Sequence, residues 1–145
     1  MIHLLRPCVG IDSIEQLARW QQSDRHIVTE DGSSVAYFPT RRIPVRINEL
    51  TDGGSVYWII KNTLQLRQRI VDVVERKDDE GQRYCLFLLD TELVRIESRP
   101  QRAIRGWRYL DPAKVPADIG PYSLGDNEEE PPEDMAMELR ESGLL

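Results

Sequence analysis

Three clusters of basic residues are the feature of the sequence best suited to binding chemistry. They hold ten of the 19 lysines and arginines, and nine of those ten are arginine. One cluster precedes a Gly-Gly turn, one follows it, and one surrounds two aromatic residues. Arginine binds phosphate through paired hydrogen bonds and stacks on bases, which lysine does less well. The clusters are Arg41, Arg42 and Arg46; Lys61, Arg67 and Arg69; and Arg99, Arg102, Arg105 and Arg108.

Aromatic residues adjoin these arginines and could provide stacking surfaces for bases. In a strand, Trp58 would share one face with apolar neighbours, whereas Tyr57 and Lys61 would share the opposite face. We therefore expect Trp58 to pack in the core and the other two residues to be available for contact. The predicted ligand-binding residues are Arg42, Arg46, Tyr57, Lys61, Arg67, Arg69, Arg105 and Trp107.

The expected partner is RNA or a nucleotide-like small molecule, such as a modified base, held in an arginine-lined cleft. A second interpretation is that the arginines form a solvated basic face, balanced by acidic residues further along the chain. The acidic residues that would balance it are Asp72, Glu75, Glu92 and Glu97. Salt-dependent binding would distinguish the two interpretations, because phosphate contacts release counterions.

Catalysis has weaker support in the sequence. Glu49 and Asp52 flank the Gly-Gly turn and are the candidate acid–base pair of a small hydrolase or nucleotide-processing enzyme, with Lys61 as a nearby cation. An aspartate before Gly-Gly is also expected from turn chemistry alone. The two histidines, His3 and His26, belong to no recognisable triad or metal motif. The sequence predicts no metal ion and no cofactor, and it leaves catalysis open.

The net charge of −6 is unevenly distributed along the chain. Residues 126–145 contain one basic and eight acidic residues, whereas the first 125 residues are almost neutral. An acidic chain with this distribution does not exclude an anionic ligand. We predict one domain over residues 1–125 and a disordered acidic tail over residues 126–145. The last residues, "MAMELRESGLL", could form a short helix that docks on a partner protein.

The elements that must position the candidate residues are mainly strands. "IHLLRPCV" reads as a strand, and "DSIEQLARWQQ" reads as a helix with Ser13 as its N-cap and Gln16 completing a capping box. "TRRIPVRIN" alternates with period two and predicts a strand that Pro44 would confine to an edge or end early. A Gly-Gly turn, with one helical turn before it, would follow this strand.

Strong β patterns continue after the Gly-Gly turn. "SVYWIIK", "LQLRQRIVDVVER" and "RYCLFLLD" are rich in β-branched and aromatic residues, and a charged turn separates the last two. Together these patterns predict an α+β protein. The expected architecture is a small, mostly antiparallel β-barrel or strongly bent sheet, with an N-terminal helix over one opening.

Five segments carry a resemblance to a known family. In order, "HLLRPCVGIDSIEQLARW", "RRIPVRINELTDGGSVYWIIKN", "RQRI", "LDTELV" and "RAIRGWRYL" resemble a family of short bacterial proteins, mostly alphaproteobacterial, catalogued as domain of unknown function 1489. The resemblance covers about residues 2–119 and leaves the acidic tail outside. It implies no activity and no catalytic residue.

The order of the strand patterns is also similar to that of PUA-like barrels, a group that includes ASCH and EVE domains. The similarity rests on a basic strand, "GGSVYWIIK", "RQRIVDVVE", a charged hairpin and "YCLFLLD". It implies a barrel that binds RNA or modified bases in a cleft beside the aromatic strand. Ser55 follows Gly54 here, where that group commonly has aspartate.

The sequence also predicts a cytoplasmic location without a membrane partner. It has no apolar run of the ~18 residues that a membrane-spanning helix requires, and its first ten residues do not resemble a secretory signal. Cys8 and Cys85 form no close-spaced motif and fit a reducing compartment. The sequence leaves the oligomeric state open.

Overall fold

The computed structural model describes residues 1–123, and its strands form one sheet of nine within that range. The strands are β1 (His3–Pro7), β2 (His26–Val28), β3 (Ser34–Thr40), β4 (Ser55–Ile60), β5 (Thr63–Lys77), β6 (Arg83–Leu89), β7 (Leu93–Pro100), β8 (Arg108–Leu110) and β9 (Asp118–Tyr122). Two helices, α1 (Ile14–Asp24) and α2 (Ile47–Leu50), and a 3₁₀ turn (Pro112–Lys114) accompany them. The predicted acidic tail, residues 126–145, lies outside the described residues.

The long strand β5 organises the sheet. Its first half pairs with β4 and with β7, and its second half pairs with β6. The order is β2-β3-β6-β5-β4-β1-β8, and β9 joins through β7. Register shifts between Leu64 and Leu66 and between Ile70 and Asp72 mark bulges, which bend a strand and increase its twist. Only the β1–β4 pair is parallel among the described strands.

The predicted barrel is wrong, because the sheet stays open. A barrel closes only when its two end strands pair with each other. Here β2 and β8 lie at opposite ends of the strand order, and the sheet is not closed between them. The mostly antiparallel, strand-rich architecture is confirmed.

The sheet has an apolar cluster on each face of β4. All six residues of β4 are buried. The larger cluster contains Leu4, Trp58 and Phe87, and the smaller one contains Leu5 and Tyr57. Alternation therefore places Trp58 inward as predicted, with 1% of its surface exposed. Tyr57 is also buried, with 2% exposed, because a second layer covers the face on which we expected it to be accessible.

The helix predicted after β1 is confirmed as α1, and Ser13 caps it. The Ser13 side chain accepts a hydrogen bond from the backbone N–H of Gln16 at 3.1 Å, whereas the Gln16 side chain accepts from Asp12 rather than from the cap residue. Apolar residues of α1, including Leu17, pack into the larger cluster. The single helical turn before Gly-Gly is confirmed as α2.

The strand predicted over "TRRIPVRIN" is wrong, because β3 ends at Thr40 and residues 41–46 have no regular structure. Pro44 has no N–H to donate to a sheet, and α2 begins directly afterwards at Ile47. Within the segment, Ile43 packs against the core and Val45 is 90% exposed. The alternation of apolar residues therefore belongs to an extended loop.

Candidate functional site

Two of the predicted arginines lie on aromatic rings at one end of the sheet. The guanidinium carbon of Arg42 is 3.7 Å from the centroid of the Trp107 ring, and that of Arg46 is 5.3 Å from the Tyr109 ring. The two rings meet edge to face, with centroids 5.1 Å apart. Both arginines are within the roughly 6 Å range of cation–π attraction. We call Arg42, Arg46, Trp107 and Tyr109 the arginine–aromatic corner.

Side chains around β8 hold the irregular segment that carries the two arginines. The Trp107 indole N–H donates to the Arg42 carbonyl at 3.2 Å. The Tyr109 hydroxyl accepts from the backbone N–H groups of Val45 and Arg46, both at 3.1 Å. These bonds satisfy backbone groups that have no strand partner, so they fix the position of the segment.

The arginines near the corner differ in how far they are neutralised. Arg46 forms a two-point ion pair with Glu49, at 2.5 and 2.9 Å, and its hydrogen bonds lower the pKa of the Glu49 carboxyl. Arg41 pairs with Asp78 at 2.8 Å. Arg42 is exposed, and no carboxylate of residues 1–123 lies within salt-bridge distance of it. Within residues 1–123, the corner therefore presents to solvent a guanidinium without a carboxylate partner.

Trp107 cannot stack directly on a ligand in this arrangement. Only 3% of its surface is exposed, and the Arg42 guanidinium covers its ring. A base would instead stack on the outer side of the guanidinium, which is itself a planar stacking surface.

A second group of polar residues lines a shallow, open cavity of about 330 Å³ on the other face of β4. Its lining includes His3, Gly53, Tyr57, Arg67, Val115 and Asp118. Tyr57 and Arg67 lie directly opposite each other in the β4–β5 register. We call this cavity the His3 pocket.

An ion pair lies along one side of the His3 pocket. Arg67 donates to both carboxylate oxygens of Asp118, at 2.8 and 2.7 Å, and to the Ser55 hydroxyl at 2.9 Å. The Arg67 hydrogen bonds lower the pKa of Asp118. Because Asp118 begins β9, the pair also ties that strand to β5. Such two-point arginine–carboxylate bonds fix geometry as well as charge.

His3 forms the base of the pocket in its neutral state. Its Nδ1 accepts the Ser55 backbone N–H at 2.9 Å, which places the imidazole proton on Nε2. Burial, with a smaller contribution from the Arg67 charge, lowers the pKa of His3. The imidazole meets the Tyr57 ring edge-on at 5.1 Å, and burial raises the pKa of the Tyr57 phenol.

The remaining predicted residues lie apart from both sites. Lys61 is exposed and occupies the turn between β4 and β5, where its φ of 50° and that of Asn62, 60°, fit a two-residue hairpin. Arg69 pairs with Asp90 at 3.5 Å. Arg105 is exposed in the loop before β8. The structure thus places some of the predicted residues at the corner, some at the His3 pocket and these three at neither.

The predicted acid–base pair lacks a shared pocket with Lys61. Glu49 and Asp52 precede β4, whereas Lys61 follows it, so the length of six strand residues, about 20 Å, separates them. Glu49 is paired with Arg46, and Asp52 has an 81% exposed side chain. This geometry removes the basis for the hydrolase hypothesis.

Thiol and metal chemistry also find little support in the described part of the chain. Burial raises the pKa of Cys8 to about 12 and that of Cys85 to about 11, so both thiols stay protonated near neutral pH. Within residues 1–123, no group of three or more potential ligands is placed to hold a metal ion. No helix in this range has the length and apolar character to cross a membrane.

Several residues that shape the two sites are absent from the set predicted from the sequence. Tyr109 and Asp118 are joined to their partners across more than 50 positions of the chain, and no local pattern signals such contacts. His3 did carry a signal, because a histidine inside the apolar run "IHLL" is expected to be buried with its nitrogen bonded.

The protein is therefore of a mostly antiparallel, open-sheet class. One face of its sheet carries the arginine–aromatic corner, and the other carries the His3 pocket. The chain belongs to the family described as Protein of unknown function (DUF1489), whose model matches residues 4–145. The match includes the acidic segment, so the expectation that this segment lies outside the family is wrong. No curated protein and no solved structure matches the chain significantly.

Proposed function

We propose that the protein binds RNA or a nucleotide-like ligand at the arginine–aromatic corner. The main support is the exposed Arg42 guanidinium, which lies 3.7 Å from the Trp107 centroid without a carboxylate partner in residues 1–123. Its planar group offers paired N–H donors to a phosphate and a stacking face to a base. The ring beneath it and the bonds to its backbone reduce the conformational freedom lost on binding.

Arg46 supplies the second contact in this proposal. Its pair with Glu49 is exposed, and exposed ion pairs contribute only about 0–1 kcal/mol. A ligand phosphate can therefore displace Glu49 at small cost. The two arginines are four residues apart on one ordered segment, which suits successive phosphates or a phosphate and its neighbouring base.

Two wider expectations belong to the same proposal. A relation to PUA-like domains rests on the strand patterns around "GGSVYWIIK", although the sheet here is open. A cytoplasmic location is supported by Cys8 and Cys85, which are buried free thiols.

Fluorescence anisotropy with labelled single-stranded RNA tests the proposal, and calorimetry with nucleoside monophosphates separates RNA from free nucleotide. We expect affinity to fall steeply between about 50 and 200 mM salt. Arg42→Ala should remove most of the binding, and Arg42→Lys should restore only part of it because lysine lacks the planar fork.

Arg83→Ala is the matched control, since Arg83 is an exposed, ion-paired arginine on β6. Circular dichroism would confirm that each variant folds. Absence of binding at about 50 mM salt, or equal binding by the Arg42→Ala and Arg83→Ala variants, would contradict the proposal.

A further inference from the structure

We propose that the His3 pocket is a second binding site, specific for a small ligand that carries a carboxylate group. The basis is a set of hydrogen-bond donors around the cavity that have no protein acceptor within residues 1–123. This site is independent of RNA binding, because it lies on the opposite face of β4 from the corner.

Two donors in the pocket have no protein partner in the described part of the chain. His3 and Tyr57 are 6% and 2% exposed, and both line the cavity. Because His3 Nδ1 accepts from Ser55, its Nε2–H remains available. The Tyr57 hydroxyl has no hydrogen-bond partner in residues 1–123, and it is not among the fully enclosed polar atoms. Both donors reach the open cavity, so the acceptor oxygens of a ligand could take the place of water on them.

The charged groups favour the same chemistry. Arg67 uses three of its five N–H donors on Asp118 and Ser55, and two are left for a ligand. Both Asp118 oxygens accept from Arg67, so the negative charge of Asp118 is offset within the pocket. Arg99 adds a further positive charge near Tyr57, and it donates at 2.8 Å to the carbonyl of Lys114 beside the cavity wall.

A monoanion with an apolar part fits this site best. Arg67 is offset by Asp118 and the Met1 ammonium by Asp52, which leaves Arg99 as the nearby cation that one ligand carboxylate would balance. Its two oxygens could accept from His3 and Tyr57 at the same time. Val115 and Pro116 provide an apolar wall, and about 330 Å³ is at the small end of ligand cavities.

Titration calorimetry with benzoate, and with benzamide as its neutral analogue, tests the carboxylate preference. We expect saturable benzoate binding and at least about tenfold weaker benzamide binding, because hydrogen bonds to a charged group are worth more than neutral ones. In ¹⁵N NMR spectra, benzoate should shift the His3 Nε2 resonance. Lack of saturable benzoate binding, or equal affinity for the two probes, would overturn the inference.

Two substitutions should move benzoate affinity in opposite directions. Tyr57→Phe keeps the ring and removes the hydroxyl, so affinity should fall about tenfold. Asp118→Asn frees part of the Arg67 charge, so affinity should rise. Tyr84→Phe, on β6, is the matched control and should leave benzoate affinity unchanged; Arg42→Ala, which should weaken RNA binding, should not alter benzoate affinity either. An unchanged affinity in Tyr57→Phe, or a loss in Arg42→Ala, would place benzoate elsewhere and refute this site.

Discussion

The arginine–aromatic corner and the His3 pocket combine the same residue types in opposite ways. At the corner, exposed arginines lie on the rings of Trp107 and Tyr109, and Arg42 has no acidic partner within residues 1–123. In the pocket, Arg67 is held by Asp118, and the aromatic residue supplies a hydroxyl rather than a ring face. Composition alone therefore does not determine the chemistry of either site.

The difference between the two sites follows from the alternation of side chains between the two faces of the sheet. Leu4 and Leu5 are adjacent in β1, yet Leu4 belongs to the cluster that supports the corner and Leu5 to the cluster beside the pocket. The pocket face is covered by β7 and by the segment around Val115, and its partly buried arginine is held by the carboxylate of Asp118. The corner borders solvent, where an unpaired guanidinium is well hydrated and free to bind a ligand.

Gly54→Ala should have the largest effect on stability, because it disturbs the junction between α2 and β4, on which both regions depend. Gly54 joins α2 to β4, and an added Cβ would collide with the carbonyl oxygens of Ile2 and Leu50. Backbone atoms cannot move aside as a flexible side chain can. We expect a loss of about 4 kcal/mol or more in the free energy of unfolding, measured by urea denaturation.

Gly53→Ala is the matched control for this substitution. Gly53 has a φ of +84°, and only the Met1 sulfur lies near its Cβ position, at 3.6 Å. Its cost should be the backbone strain alone, about 1–2 kcal/mol. If Gly53→Ala were the more damaging change, turn conformation rather than close approach would be the main requirement.

Gln68→Leu should be the next most damaging change, and it should affect only the corner side of the sheet. Gln68 is fully buried and accepts from the Trp58 indole at 3.1 Å and from Gln21 at 2.9 Å. Leucine would leave these buried donors without a partner, so the unfolding free energy should fall by about 2–3 kcal/mol.

Gln65→Leu provides the control on the same strand. Its side chain makes a single long hydrogen bond, 3.5 Å, to the Ile60 carbonyl. We expect a change below about 1 kcal/mol in the same urea experiment. Similar losses of unfolding free energy in Gln68→Leu and Gln65→Leu would show that the buried hydrogen bonds of Gln68 contribute no more to stability than the single bond of Gln65.

Much of the sheet could be predicted from the sequence, because its strongest signals are local. Alternation and β-branched residues located β4 and β5, and the Ser13 cap located α1. The segment 41–46 could not be predicted in the same way. Its period-two pattern fits a strand, but the Tyr109 hydroxyl, more than 60 positions away, binds its backbone N–H groups.

The division into two sites depended on contacts that are equally remote in sequence. Alternation correctly put Tyr57 on the face opposite Trp58. It could not show that Leu5 and Ile96 bury that face as well, because these residues arrive from β1 and β7. For the same reason, the arginines predicted for one cleft could not be assigned to separate faces.

The pH dependence of stability should distinguish the pocket from the corner. The folded-state pKa of His3 lies below its usual value of 6.5, chiefly through burial. The unfolded chain therefore binds a proton more readily, so the stability contributed by neutral His3 is complete above about pH 6.5 and is lost as the pH falls towards the folded-state pKa.

His3→Gln should reduce this dependence between pH 7.5 and 5, as followed by urea denaturation at several pH values. His26→Gln is the control, because His26 is exposed on β2. We expect the effect to be smaller than that of Gln68→Leu, since protonation disrupts one hydrogen bond, from Ser55 N–H to Nδ1. An unaltered pH profile in His3→Gln would mean that another group controls acid sensitivity.

Arg42→Ala should have the smallest effect on stability, and this makes it the sharpest test of how the two regions differ. A surface cation–π contact contributes about 0.5–1 kcal/mol, and Trp107 would keep its hydrogen bond to the residue 42 carbonyl. The loss should resemble that of Arg19→Ala, which removes an exposed helical ion pair. A loss above about 2 kcal/mol would show that Arg42 is a structural clamp. The corner would then resemble the Arg67–Asp118 pair, and its unpaired charge would no longer argue for a ligand.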